Sequence, residues 1–86
     1  MKQLLYFPKW LEVLIKINMT PEHKRYSQKL YKEVKTSINH FRAILKRLEG
    51  EDFIQIYPSK KINWIKLTEK GKEVSEAAMR IKTNIK

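Results

Sequence analysis

Apolar residues recur at helical spacing in four stretches of this chain and crowd into two short runs between the third and the fourth. From Pro8 to Met19, Trp10, Val13, Leu14 and Ile17 share one face of a helix, with Pro8 suited to its first turn. Leu11 and Ile15 form a second apolar face, leaving Lys9, Glu12 and Lys16 as a narrow polar strip. An apolar arc of about 200° is wider than one small core covers. Either this helix is central, or its second face, with Leu4, Leu5, Tyr6 and Phe7 ahead of it, meets another chain.

Thr20-Pro21 ends that helix, because a residue before proline is steered out of the helical region. Arg25-Tyr26 reads as a short extended piece. Ser27 reads as the N-cap of a helix from Gln28 to about Lys35, with Leu30 and Val34 buried and Tyr26 close by. Lys35-Thr36 is then a tight connection to a third helix capped by Ser37. In that helix Phe41, Ile44, Leu45 and Leu48 fall at i, i+3, i+4 and i+7. It should end near Gly50, and both Gly50 and Asp52 are candidates for the left-handed residue beyond it.

Phe53 to Tyr57 and Ile62 to Leu67 are strands by β-branched and aromatic content. Pro58-Ser59-Lys60-Lys61 makes the turn between them, with proline at its second position and a basic tip. Thr68 caps a last helix over 69–85. Its apolar positions, Val74, Ala78, Ile81 and Ile85, form a narrow heptad-like seam beside Ala77. Such a helix is longer than a body of this size needs, so its far end should find a partner.

Charge changes the picture. The 86 residues carry a formal net charge of +10, which favours polyanions. Of that, +7 lies between His23 and Leu48, from Lys24, Arg25, Lys29, Lys32, Lys35, Arg42, Lys46 and Arg47 against Glu33 alone. The third helix thus has a core stripe and, opposite it, Asn39, Ala43 and Lys46, flanked by Arg42, Arg47 and His40. Asparagine can pair with adenine, arginine with guanine, and alanine can touch a thymine methyl. A lone exposed histidine such as His40 is more often solvated than a base reader. The set is better supported than any member.

Other chemistries find little support. With no cysteine there is no disulfide framework and no thiolate zinc site. Two glycines leave no phosphate-cradling loop. No acid–base pair lies beside a nucleophile, so the chain reads as no enzyme, without metal or cofactor. It has no apolar run of membrane-spanning length and no secretory signal, which places it in the cytoplasm, on the nucleoid. A single domain spans 1–86.

The order helix, short extended piece, helix, helix, hairpin, helix is the α+β layout of a winged helix-turn-helix. The residues themselves resemble the MarR-type winged-helix family and its small archaeal and viral relatives. From Leu30, apolar residues follow at the family's spacing without a gap, at Val34, Phe41, Ile44, Leu45 and Leu48. Leu48-Glu49-Gly50-Glu51-Asp52-Phe53-Ile54 is similar to the family's exit from the recognition helix, and Leu67-Thr68-Glu69-Lys70-Gly71 to the segment after its wing. The resemblance covers Tyr26 to Val74. Three departures accompany it. Asp52 stands where the family has glycine, the wing is short, and Thr36 replaces a bulky apolar residue, with Ile38 expected to supply that contact.

The resemblance implies a homodimeric regulator bound to double-stranded DNA. The recognition helix, 37–49, would lie in the major groove and the wing, 58–61, on the backbone. Asn39, His40, Arg42, Ala43 and Lys46 would face bases; Ser37, Lys24, Arg25, Lys29, Lys32, Arg47, Lys60 and Lys61 would meet phosphates. Leu4, Leu5, Phe7, Leu11, Ile15, Val74, Ala78, Ile81 and Ile85 would form the dimer interface. A non-specific architectural DNA-binding protein and a winged-helix protein–protein module are the competing readings. The family's effector pocket, between dimer helices and DNA-binding lobe, has no counterpart discernible in the sequence, so the chain reads as a constitutive binder.

Overall fold

A computed structural model describes residues 8–83. Its helices are α1 (Lys9–Met19), α2 (Ser27–Glu33), α3 (Ile38–Gly50) and α4 (Glu69–Thr83). The hairpin of β1 (Ile54–Pro58) and β2 (Asn63–Leu67) lies between α3 and α4, and a 3-10 turn, Glu22–Lys24, follows α1. The strands pair antiparallel from Ile54↔Leu67 to Pro58↔Asn63. Tyr26 adds a single bridge to Trp64 on the other edge of β2, and the Ile65 amide donates to the Arg25 carbonyl at 2.8 Å. The short extended piece expected at Arg25-Tyr26 is therefore a one-residue third strand.

The core gathers Val13, Leu14 and Ile17 of α1, Leu30 of α2, all four stripe residues of α3, and Ile54 and Ile65 of the hairpin. Burying each such side chain is worth about 1.5–3 kcal/mol, and α3 contributes four. Its placement is thus fixed by packing rather than by helix propensity.

Several boundaries differ from the sequence reading, each for a local reason. Tyr26, not Ser27, is the cap residue of α2, because its bridge to Trp64 holds it extended at φ −129° and ψ 152°. The Ser27 hydroxyl donates instead to Gln28 Oε1. α2 stops at Glu33, short of Lys35, where β-branched Val34 turns extended.

Ser37 does cap α3, its hydroxyl accepting from the His40 amide at 3.1 Å. At the other end Gly50 stays helical and Asp52 is the left-handed residue, with φ 66°. The Asp52 amide donates to Glu49 O and the Phe53 amide to Leu48 O, a Schellman closure. That closure uses the Phe53 backbone, so β1 begins at Ile54 rather than Phe53. Pro58, lacking an N–H, ends β1 opposite Asn63 instead of sitting second in the turn.

α4 lies along α1, and of the heptad-like positions among the described residues only Ala78 is fully buried. Gly71, Ser75 and Ala78 are its buried residues, Val74 is half-buried, and Ile81 is 50% exposed. The Asn18 amide donates to the Ser75 hydroxyl at 2.8 Å, setting the rotation of one helix on the other. Leu11 and Ile15 share the flank of α1 that carries Asn18. Ile15 is 6% exposed and Leu11 half-buried, so that second apolar face is largely covered within one chain. Of the residues expected at a dimer interface, Ile15 and Ala78 are inside the subunit. Leu4, Leu5, Phe7 and Ile85 lie outside the described residues. No described helix is long and apolar enough to cross a membrane.

Candidate nucleic-acid interface

Anchored by its buried stripe, α3 turns its opposite face outward. Asn39, His40, Arg42, Ala43 and Lys46 are all exposed there. Asn39, Arg42, Ala43 and Lys46 fall within about 60° of a common direction, given 100° per residue. His40 lies off this arc, and its Nδ1 is 2.9 Å from the Thr36 hydroxyl. Thr36 thus holds the histidine at the start of α3, and His40 is turned to the rim of the reading face. Ile38 does not replace the missing bulky residue. It is 39% exposed and lines a groove beside α3.

That groove, about 440 Å³, runs between α2, α3 and the hairpin. Tyr31, Phe41, Leu45 and Ile56 line its apolar part, and Lys32, Arg42 and Lys46 bring three cations to it. Ser27, Gln28 and Asn63 also line it, and the sequence reading missed all three. The Gln28 amide donates to the Lys61 carbonyl at 3.0 Å, tying the wing tip to the start of α2. Only the strand register could have signalled Asn63, since it alternates with outward-facing Trp64.

The expected phosphate contacts separate into two groups. Ser37, Lys24, Lys32, Lys60 and Lys61 are exposed. Lys24 sits in the 3-10 turn, and Lys60 and Lys61 sit at the hairpin tip, where Ser59 N bonds Ile62 O at 2.8 Å.

The other three are engaged within the fold. Arg25 turns inward to the end of α1, donating from Nε to Ile17 O and Thr20 O at 2.9 and 2.8 Å, and from Nη2 to Asn18 O at 3.3 Å. A guanidinium suits the orphan carbonyls of a helix C-terminus, and Arg25 caps the end of α1. Lys29 bonds Glu33 at 2.8 Å, and Glu33 also pairs with Lys16. Through that hydrogen bond the Lys29 pKa is raised and that of Glu33 lowered. Arg47 lies over the Trp10 ring at 5.5 Å, and Trp10 stacks on Phe53. The partners of Arg25 and Arg47 lie on α1, outside their own elements, so the sequence shows their charge but not what engages it.

Among the described residues no three His, Asp or Glu side chains gather as a metal site.

No family model and no curated protein matches the chain by sequence. Solved structures do. AF1382 from Archaeoglobus fulgidus superposes with a TM-score of 0.85 at 21% identity, over 95% of this chain and 92% of that one. SSV1 F-93 gives 0.76 at 25% identity, over 99% and 100%. ZitR of Lactococcus lactis, a zinc-responsive MarR family member, gives 0.69 at 18% identity, over 95% of this chain and 58% of ZitR. The winged helix-turn-helix fold and its likeness to the MarR-type proteins and their small archaeal and viral relatives hold in three dimensions.

Proposed function

We propose that this chain is a sequence-specific, double-stranded DNA-binding transcription regulator that acts as a homodimer in the cytoplasm. The observation that carries it is the reading face of α3. Asn39, Arg42, Ala43 and Lys46 are exposed together on a helix whose other side is locked into the core, beside a wing tipped with Lys60 and Lys61. Hydrogen-bonding and methyl groups in one row fit base edges in the major groove. Exposed lysines on either side fit phosphates without reading sequence.

We assign the contact between two chains to the exposed Ile81, together with Leu4, Leu5, Phe7 and Ile85, which the sequence pattern alone nominates. A two-fold dimer would set two copies of α3 about one DNA turn apart, near 34 Å, and select an inverted repeat.

Selection of bound duplexes from a random pool, with the mass of the complex measured alongside, tests this. The expected result is an inverted-repeat site occupied by two chains. Random-sequence duplexes bound as tightly as selected ones would instead make the protein architectural. Absence of any duplex binding would point to a protein partner.

A further inference from the structure

The outward side of the hairpin carries a feature that duplex reading does not use. Residues paired directly across antiparallel strands point to the same side. The register Tyr57↔Trp64 and the bridge Tyr26↔Trp64 therefore set three aromatic rings in one row across three strands. Ile54, Ile56, Ile65 and Leu67 form the other side, packed on or against the core. Tyr26 and Trp64 meet edge to face at 5.4 Å, and Tyr57 is 48% exposed. The next row on this side is Gln55 and Lys66, both exposed. The Tyr57 hydroxyl donates to Gln55 Oε1 at 2.6 Å, tethering the ring along its own strand. From Phe53 to Thr68 the chain has three lysines and no carboxylate.

We infer that this face binds single-stranded nucleic acid, stacking one or two unpaired bases on Tyr57 and Trp64 while Lys60, Lys61 and Lys66 meet the backbone. Aromatic side chains stack on the faces of bases, and a duplex keeps those faces covered by neighbouring pairs. Only an unpaired strand offers them, and such stacking is tolerant of sequence. The positive charge selects a polyanion over a second copy of this basic chain. Two classes of nucleic acid would then meet opposite sides of one hairpin, duplex at the α3 groove and single strand at the aromatic row.

A 15-nucleotide oligothymidylate, which forms no duplex with itself, is the probe. In the Trp10→Phe variant Trp64 is the sole tryptophan, so its fluorescence reports the row directly. The expected result is saturable quenching, weakened about tenfold or more by Tyr57→Ala and restored to within about threefold by Tyr57→Phe. Tyr57→Ala should leave affinity for a selected duplex unchanged, which separates this site from α3. Absence of quenching, or binding indifferent to Tyr57→Ala, overturns the inference. So does loss of oligothymidylate binding in Arg42→Ala/Lys46→Ala, which would place the strand on α3. A change of solution mass on Tyr57→Ala would assign the row to contact between copies and equally overturn it.

Discussion

Gly71 lies directly against the backbone carbonyl of Phe53, so the first turn of α4 is packed on the exit from α3. A β-carbon at Gly71 would overlap that carbonyl and come within 3.1 Å of Leu67 Cδ1. The same carbonyl accepts from the Thr68 amide and hydroxyl, and the hydroxyl also donates to Asp52 O and accepts from the Gly71 amide. The two segments that most resemble the MarR-type pattern, 48–54 and 67–71, thus form one joint.

Gly71→Ala should destabilise the fold by about 1–3 kcal/mol or more, because the overlap falls on backbone that cannot yield. Gly50→Ala is the control. Gly50 is helical and exposed, with open space where a methyl group would sit, so alanine should stabilise by about 0.5–1 kcal/mol. Thermal or urea unfolding of the two variants gives opposite signs; the same sign for both would refute the joint.

Arg25→Ala should lower stability by about 1.5–3 kcal/mol, since a charged donor to three carbonyls at the end of α1 is lost. The salt dependence of DNA affinity should not change. A shallower salt slope in a folded Arg25→Ala protein would return this residue to the phosphate contacts.

Glu33→Gln should do the reverse, releasing Lys29 and Lys16 at little cost. DNA affinity is expected to rise and the slope of log K against log salt to steepen by up to about one. The pair also predicts a pH window. Glu33, with its folded pKa lowered, contributes stability that is complete above its unfolded value of 4.5 and lost as pH falls through the folded value. Lys29, with its folded pKa raised, contributes stability that is complete below 10.5 and lost as pH rises through its folded value. Pair-dependent stability should therefore be flat between about 4.5 and 10.5, and Glu33→Gln should abolish its decline at both ends. A titration of unfolding free energy checks this.

A dimer that neutralises about eight phosphates should show a slope near −7. Lys60→Ala/Lys61→Ala should reduce that slope and weaken all duplexes alike, whereas Lys24→Ala tests the other side of the interface. A duplex titration at several salt concentrations gives each slope, and salt-independent binding would remove the electrostatic account.

The α3 stripe was legible in the sequence because Phe41, Ile44, Leu45 and Leu48 repeat at helical spacing and nothing nearby competes. Asp52 against Gly50 was not, because the left-handed position depends on which carbonyls Asp52 and Phe53 close upon. The face of α4 was also hidden. Hydrophobicity favours Val74, Ala78 and Ile81, and of these only Ala78 is buried, while Ser75, outside the apolar pattern, meets Asn18 of α1 through its hydroxyl. Within the site, exposed side chains on α3 followed from its periodicity. Arg25 and Arg47 did not, because their side chains reach partners on α1, outside their own elements, whereas the Lys29–Glu33 pair is an i,i+4 spacing within α2.

The measurement that bears most directly on base reading by α3 is the ratio of affinities for a selected duplex and a scrambled duplex of equal length, at one salt concentration. For the unaltered protein the ratio should be about 10³ or greater. Asn39→Ala should cut it by about 10- to 100-fold, through the selected duplex alone, at about 1–3 kcal/mol for a lost base contact. A ratio near one for the unaltered protein, or one that Asn39→Ala leaves intact while Arg42→Ala/Lys46→Ala also leaves it intact, would contradict recognition by this helix.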